Sequence, residues 1–474
     1  MSSLFIVHEL RTTPVRRSPG EGGNYEQRTT NYKLRTLIME IRPFKAFRFD
    51  KTVVGNVGDC ISPPYDVISG KLQQQLYEKN EYNIVRIIKG KTTPSDNDSD
   101  NQYTRAADYL KAWLEKGVLK QDSQEAIYAY VQNFEAAGGN FQRGSFISLT
   151  RLTELGETVK PHEQTLSGPK ADRLNLLKAT NAKFGLIFMF YSDPEKIADK
   201  IIEKAAAAAP LIDFTDEQNI RHRLYAITDK AEIEAIVNML ADKIAVIADG
   251  HHRYETALNY LKETGNTNAL YQMIAFANVH NEGMIVLATH RLIKNIENFD
   301  SKKMLRDLEK NFDITEYKFD SPQAETDAKQ QMLNQMRKEY ENDNNAFGVY
   351  SGGDAFYVAV LKDKKAMDTA AQGMSDSFKS LDVAVLHKLI IDDVLGLDEA
   401  KVTAGGNLEY VKDTPTAIND SIAGVNAGQI QAAFLTNPPK IEHIEQVAGA
   451  GEKMPQKTTY FFPKMYSGLI IQKL

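Results

Sequence analysis

The chain has 474 residues, of which 42% are hydrophobic and 25% are charged, and its formal net charge at pH 7 is −6. A chain of this length exceeds one ordinary core, so two or three domains are expected. The acidic balance disfavours a protein that works on nucleic acid, because such proteins usually present a basic face to phosphates. The one cysteine, Cys60, excludes an internal disulfide and any metal site built from several thiolates.

The first 38 residues differ in composition from the rest of the chain. Arginines stand there among Ser, Thr, Gly and Asn without helical or strand periodicity. This predicts a disordered or non-native extension at 1–38, with the working protein beginning near Met39. A transit peptide is the alternative, although the stretch also carries glutamates. No apolar run approaches the roughly 20 residues that span a bilayer, so we expect a cytoplasmic protein with no membrane partner.

The remaining sequence alternates between strand and helix patterns and predicts an α/β fold of the mixed α+β kind. We expect an N-terminal α/β domain at 39–157, a core at 158–300 and a C-terminal α/β domain at 301–474. The predicted strands lie at 83–89, 126–131, 144–152, 185–191, 243–248, 346–350, 355–361, 430–435 and 458–462. The predicted helices lie at 103–116, 196–209, 254–262, 303–311 and 382–395. His387, among apolar residues of the last helix, is interpreted as structural.

The polar stretch 92–100 carries alternating aspartates that resemble the start of a calcium-binding EF-hand loop. That loop requires Gly at its sixth position and Glu at its twelfth, where this chain has Asn101 and Ala107. We therefore predict a solvated loop there.

The segment 243–265 joins an apolar, β-branched run to a repeat in which apolar residues recur at i, i+3, i+4 and i+7. The loop 249–253 bridges the predicted strand and helix. Ligands of α/β sheets collect at such junctions, because unpaired N–H groups and the positive end of the helix dipole favour anions. The sequence therefore predicts a phosphate or nucleotide site in this loop.

Each residue of the loop suits one part of such a site. Gly250 lets the backbone approach a phosphate, and His251, His252 and Arg253 supply donors, with Arg253 able to hold two phosphate oxygens. Asp249 suits a magnesium ion, a substrate hydroxyl or the orientation of a histidine.

Two other interpretations of the loop stay open. In one, Asp249 caps the helix and the histidines and Arg253 lie on its surface. Against this, two histidines and an arginine oppose the dipole of a helix start. In the other, His251 and His252 bind zinc, which requires a third ligand and usually spaces its histidines further apart.

Further reactive side chains gather in the polar stretch 160–173. Glu163 and Asp172 are candidates for the base that takes a proton from a substrate hydroxyl. His162 and Arg173 are candidates for contacts with the substrate. A capped loop with surface ion pairs is the alternative.

Three more groups complete the candidates. Asp66 ends the stiff turn 62–66 and suits a substrate amino group, with a structural turn as the alternative. His290 and Arg291 follow the apolar run 284–288, which predicts a strand-end group that contacts substrate. The aromatic strand 458–462, flanked by Lys457 and Lys464, is interpreted as core.

The residues IADGHHR at 247–253 are similar to the phosphate-binding motif of the ParB/sulfiredoxin superfamily. They look closest to the branch that contains free serine kinases, which phosphorylate L-serine with a nucleotide. From Met39 onward the chain resembles an uncharacterised prokaryotic family, number one-thousand-and-fifteen of the domains of unknown function. The segments that carry this likeness are ISPPYDVI at 61–68, PHEQT at 161–165, DGHHRYE at 249–255, THR at 289–291 and MPQKTTYF at 454–461. The resemblance implies a ParB/sulfiredoxin-like nucleotide-binding core at 158–300, with additional α/β segments on either side.

The chain departs from two branches of that superfamily. Sulfiredoxins need a cysteine in the loop, where this chain has histidine, and partition proteins add a helix-turn-helix and a basic surface. The resemblance thus implies a nucleotide-dependent phosphotransferase with ATP or ADP as donor and Mg²⁺ near Asp249. It would act on a small hydroxyl-bearing metabolite, with free L-serine the leading candidate. The alternative is a nucleotide-binding regulatory (switch) protein without small-molecule kinase activity.

Overall fold

A computed structural model of the chain describes residues 38–136, 138–163, 167–455 and 457–474. The extension predicted at 1–38 lies outside the described residues, apart from Ile38. Residues 37–474 form one unit. In the described ranges, no helix has both the length and the apolar character that a membrane crossing requires.

The chain forms the mixed α/β fold that the sequence predicts. Its strands are β1 (Ile41–Arg42), β2 (Phe47–Phe49), β3 (Leu119–Gln121), β4 (Ile127–Ala136), β5 (Gly139–Arg151), β6 (Val159–Lys160), β7 (Ala182–Lys183), β8 (Ile187–Tyr191), β9 (Ile212–Thr215), β10 (Arg221–Ile227), β11 (Ala245–Asp249), β12 (Tyr271–Asn278), β13 (Ile285–Leu287), β14 (Thr289–Ile293), β15 (Phe312–Lys318), β16 (Ala346–Tyr350), β17 (Ala355–Leu361), β18 (Leu408–Lys412), β19 (Ala432–Thr436), β20 (Tyr460–Phe462) and β21 (Gln472–Lys473).

The α-helices are α1 (Lys51–Val54), α2 (Gly70–Lys79), α3 (Val85–Ile88), α4 (Gln102–Glu115), α5 (Ser167–Thr180), α6 (Ile197–Ala206), α7 (Lys230–Ala241), α8 (His251–Thr264), α9 (Ser301–Leu308), α10 (Pro322–Glu341), α11 (Ala366–Ala370), α12 (Asp376–Lys379), α13 (Asp382–Val385), α14 (Glu399–Ala404), α15 (Ala417–Asn426) and α16 (Ile441–Gly449). A π-helix, Leu386–Asp392, continues α13.

Within the described ranges, the first sheet has nine strands in the order β6-β11-β8-β12-β5-β4-β10-β9, with β1 added beside β5. The predicted strands at 126–131 and 144–152 belong to β4 and β5, which form a hairpin in which Tyr128 stands opposite Ile147. Helices α6, α7 and α8 cover one face of the sheet, where Ile202, Ile236 and Tyr254 share an apolar core with strand residues. Because β11 lies inside this sheet, its carboxyl end holds Asp249 in a fixed position.

The second sheet has six strands among the described residues, in the order β15-β17-β16-β19-β14-β18. Helix α10 covers one face of it through Ala328, Met332 and Met336. The first sheet contains strands from both sides of residue 157, and the second sheet already begins at Thr289. The sheets therefore do not divide at the domain boundaries predicted at 157/158 and 300/301.

After the second sheet the chain returns to the first. We call residues 457–474 the C-terminal segment. Its strand β20 pairs with β13, and the backbone N–H of Ser467 donates to the carbonyl of Ser62 at 2.8 Å. Strand β21 pairs with β7. The C-terminal segment thereby brings residues from the far end of the sequence to the junction of β11 and α8.

Two predicted elements are wrong. Residues 83–89 contain the helix α3 rather than a strand, because the Asn83 side chain accepts a hydrogen bond from the N–H of Val85 at 2.9 Å and starts a helical turn. The expected strand-end group at 289–291 lies inside β14, because the apolar run before it forms β13 in a different two-stranded sheet.

Candidate functional site

The site is built at the junction of β11 and α8. Gly250 is the N-cap of α8 with φ of +99°, and no side chain caps the helix. A Cβ at this position would lie 3.1 Å from the guanidinium of Arg253, so both the backbone conformation and the space require glycine. Asp249 does not cap the helix, which removes the capping interpretation. Neither Asp249 nor Gly250 therefore caps the first turn of α8 with a side chain.

Asp249, Arg253 and Lys464 form what we call the charge cluster. Lys464 donates to Oδ1 of Asp249 and Arg253 donates to Oδ2. The three side chains are only 11–13% exposed. Burial opposes ionisation of Asp249, but Lys464 and Arg253 outweigh it and hold the pKa of this carboxyl well below its usual range. Two cations against one carboxylate leave the cluster with a net positive charge.

Two histidines pack beside the charge cluster. His162 is fully buried and its Nδ1 donates to the carbonyl of Ile247 at 2.5 Å. The backbone N–H of His162 donates to Nε2 of His251 at 3.3 Å, and the two rings meet edge to face with centroids 4.8 Å apart. Burial lowers the pKa of both imidazoles, that of His251 well below its ordinary value. Both are therefore neutral at physiological pH, and the proton of His251 resides on Nδ1.

Glu163 joins these histidines through Thr459 of the C-terminal segment. Its Oε1 accepts from the Thr459 backbone N–H at 3.2 Å and stands 3.0 Å from Thr459 Oγ1. The same hydroxyl is 2.7 Å from Nε2 of His162. Because neutral His162 donates from Nδ1, its Nε2 accepts the single hydroxyl proton of Thr459. This contact positions Thr459, whose backbone N–H is then the donor to Glu163. The Glu163 side chain is 21% exposed, so its carboxylate has access to a ligand.

Asp172 is held away from this chain of contacts. It accepts from Tyr103 Oη at 2.8 Å and from Arg173 Nε at 2.9 Å. Arg173 also donates to the carbonyl of Ile88 and stacks its guanidinium on the ring of Tyr65. The two arginines, Arg173 and Arg253, line one cavity of about 80 Å³. Of the two candidate bases, only Glu163 contacts the histidines beside the loop.

Two further predicted residues and one lysine lie near the loop. His252 is half-buried in the first turn of α8, and burial lowers its pKa. Asp66 is exposed, and its charge raises the pKa of Lys464. Lys412, at the end of β18, places its ammonium 4.0 Å from the ring centroid of Tyr460. Burial and the nearby Lys464 lower the pKa of Lys412 to about 8. An anion bound here would relieve this crowding of cations.

His290 and Arg291 belong to the second sheet instead of the loop. His290 is buried, and its Nδ1 accepts from the backbone N–H of Thr436 at 3.2 Å. Arg291 is also buried, and its Nη2 donates to the carbonyl of Lys457 at 3.3 Å. Arg291 Nε donates to His387 Nε2 at 3.2 Å, and burial lowers the pKa of His387 to about 3. His387 is thus a neutral acceptor, in agreement with the structural interpretation of this residue.

Sequence reasoning missed four residues that complete the arrangement: Lys464, Lys412, Thr459 and Arg143. Arg143 is fully buried in β5 and donates to the carbonyls of Phe462 and Pro463, which fixes the backbone next to Lys464. A lysine two residues beyond an aromatic strand was a visible signal. Its partner Asp249, however, lies 215 residues earlier, so the local sequence pattern could not predict this ion pair.

The magnesium site expected at Asp249 does not fit the residues present. Both carboxylate oxygens of Asp249 already accept from cations. Across the described ranges, no three His, Cys, Asp or Glu side chains come together in a way that could hold a metal ion. Octahedral Mg²⁺ requires free oxygen ligands, and the charge cluster offers none without breaking an ion pair.

No curated protein matches the chain. Among solved structures it is similar to free serine kinase in complex with AMP (16% identity, 65% of this chain and 86% of that chain, TM-score 0.32). It is also similar to a conserved hypothetical protein from Pyrococcus furiosus (16%, 65% and 91%, 0.30) and to C-terminally truncated SbnI from Staphylococcus aureus (10%, 67% and 84%, 0.30).

Likenesses of this size show no function for the chain. The family model described as "Protein of unknown function (DUF1015)" matches residues 41–384, and the chain belongs to that family.

Proposed function

We propose that the chain binds the phosphates of a nucleotide at residues 249–253 and transfers a phosphoryl group to the hydroxyl of a small metabolite. The observation that carries this proposal is the open start of α8 at Gly250, beside a cluster with net positive charge and a partly exposed carboxylate at Glu163. An anion is stabilised at such a helix start by its N–H groups and by the dipole. ATP or ADP is the expected donor, and free L-serine is the leading acceptor, as the ParB/sulfiredoxin-like motif implies.

Each part of the site has a role in this reaction. Phosphoryl transfer depends on positioning and on stabilising the charge that spreads over the transferred group. Arg253, Lys464 and the Nδ1–H of His251 supply positive charge and donors. Glu163 accepts the proton of the acceptor hydroxyl, and Thr459 and His162 hold its carboxylate in place.

Asp249 acts in this proposal by fixing the two cations rather than by holding a metal. Without it, Arg253 and Lys464 would repel each other at the helix start. Because each oxygen of Asp249 is engaged by one of them, both are held in a single arrangement before the ligand arrives. Such preorganisation lowers the cost of binding.

A radiolabelled phosphate-transfer assay tests the proposal. The full chain is incubated with γ-labelled ATP or β-labelled ADP and a pool of amino acids that includes serine, and phosphorylated products are separated. We expect a labelled acceptor to appear. Glu163→Gln should cut turnover by about a hundredfold, the usual scale for a lost general base, while nucleotide still binds.

Asp172→Asn is the matched control, because this carboxylate was also a candidate base but is engaged by Arg173 and Tyr103. Its turnover should stay close to that of the wild type. If nucleotide binds but no acceptor is labelled, the regulatory alternative replaces the kinase. The full pairing of Asp249 is the observation that favours this second candidate.

A further inference from the structure

The second sheet borders a cavity that the proposed reaction does not use. Its enclosed volume is about 40 Å³, which leaves room for a few waters or for one compact small ligand. It opens between β14, the end of β19 and the turns that precede α13 and α16. Polar side chains supply much of its lining, among them Arg291, Asn345, Asp382, Lys440, His443 and Thr458. Apolar atoms supply the larger part of the exposed wall, and these polar groups would orient a ligand within it.

Two opposite charges border this cavity, and each lacks an ion-pair partner among the described residues. Arg291 is 1% exposed, and its guanidinium donates to His387 and to the carbonyls of Thr289 and Lys457. Asp382 is partly buried and accepts from the Asn345 amide at 2.6 Å. Neither side chain forms an ion pair within the part of the chain that the structure describes. Desolvating both charges is unfavourable unless a ligand completes them.

Asn345 adds an independent sign of a missing partner. The side chain is 4% exposed, and its Nδ2 donates to Asp382 and, at 2.9 Å, to the carbonyl of Ser380. Its Oδ1 is buried and accepts no hydrogen bond from any described residue. A buried acceptor without a donor is rare in folded proteins. Together with the carboxylate of Asp382, it forms an acceptor pair suited to an ammonium group.

We propose that this cavity is a binding site for a small zwitterionic metabolite, whose ammonium group contacts Asp382 and Asn345 and whose acidic group contacts Arg291. The site goes beyond the phosphotransferase proposal, because no step of that reaction uses these residues. Thr289 and Arg291 alternate with His290 along β14 and therefore face the same cavity. At the rim of the cavity, Lys440 and Asp343 form an ion pair with each other.

Isothermal titration of the full chain with simple probes tests this site. Glycine, 4-aminobutyrate and 6-aminohexanoate carry both charges at increasing separation, whereas butylamine and butyrate carry one each. We expect at least one zwitterion to bind with a dissociation constant below about 1 mM, and both single-charge probes to bind at least about tenfold more weakly. The comparison with butylamine tests the role of Arg291 without altering that buried side chain.

Two variants test the amine end. Asp382→Asn keeps the shape of the side chain and should weaken binding of the zwitterion by about tenfold or more. Asp343→Asn is the control, since Asp343 lines the same cavity but is paired with Lys440, and its affinity should match the wild type. The proposal is overturned if no zwitterion binds at ~10 mM, if butylamine binds as well as the zwitterion, or if Asp382→Asn leaves affinity unchanged.

Discussion

The charge cluster lies on the first sheet and the cavity on the second. The two regions differ in whether their buried carboxylate contacts a cation. Asp249 is a carboxylate with a cation on each oxygen, and its pKa lies well below the usual range because those cations outweigh the effect of burial. Asp382 has no cation in contact, and burial raises its pKa to about 7. We therefore expect ionised Asp249 to stabilise the fold and ionised Asp382 to destabilise it. The opposite directions of the two pKa shifts reflect whether the fold places a cation against the buried carboxylate.

The largest effect is expected when the carboxylate of the charge cluster is removed. Asp249→Asn would leave Arg253 and Lys464 as two buried cations without their acid. We expect the free energy of unfolding to fall by about 3–5 kcal/mol, as for other broken buried ion pairs. Urea denaturation at neutral pH measures this loss.

Asp213→Asn is the reference for this measurement, because Asp213 pairs with Arg221 on the surface, where the two side chains are 34% and 54% exposed. Exposed pairs of this kind contribute about 0–1 kcal/mol. Equal losses in the two variants would show that the charge cluster is no more than a surface pair.

Removing the carboxylate beside the cavity should change the free energy of unfolding in the opposite direction. The pKa of Asp382 in the folded state, about 7, exceeds the value near 3.9 of an unfolded aspartate. Between these values the folded chain binds more protons than the unfolded chain, so this group lowers stability as pH rises from about 4 to 7. Asp382→Asn should thus raise the free energy of unfolding by about 1–2 kcal/mol at pH 8 and leave it unchanged at pH 4.

Denaturation curves at the two pH values measure the gain from Asp382→Asn. Asp343→Asn is again the control, since its hydrogen bond with Lys440 holds the pKa of Asp343 below the usual value and no gain is expected. A loss of stability in Asp382→Asn at pH 8 would mean that the carboxylate is compensated inside the fold.

The smallest effect concerns two adjacent threonines that face the two regions. Thr459 contacts Glu163 and His162, whereas Thr458 lines the cavity. Thr459→Val removes one hydrogen-bonding hydroxyl and should reduce turnover by about threefold to tenfold, with nucleotide affinity unchanged. Thr459→Ser retains the hydroxyl and should restore the rate, and Thr458→Val should leave it intact. A slower Thr458→Val enzyme would argue that the two regions are not separate. Steady-state kinetics measure all three variants.

The local features of the site were predictable, and its long-range contacts were not. The apolar run, the glycine and the helical repeat at 243–265 predict the junction of β11 and α8, which the structure confirms. The helix at 83–89 was missed because Asn83 overrides the strand preference of β-branched residues. The burial of Arg253 also escaped prediction, because its hydrogen bond to the carbonyl of Leu186 depends on how the strands are ordered in the sheet.

The dependence of Asp249 on Lys464 also bears on how the protein is made. A ribosome must add 215 more residues after Asp249 before the lysine exists. At about 5–20 residues per second, that interval lasts roughly 10–40 s. Throughout it, the nascent chain carries Asp249 with only one of its two cations. The first sheet can assemble during synthesis, but the charge cluster at its end is complete only once translation has passed the C-terminal segment.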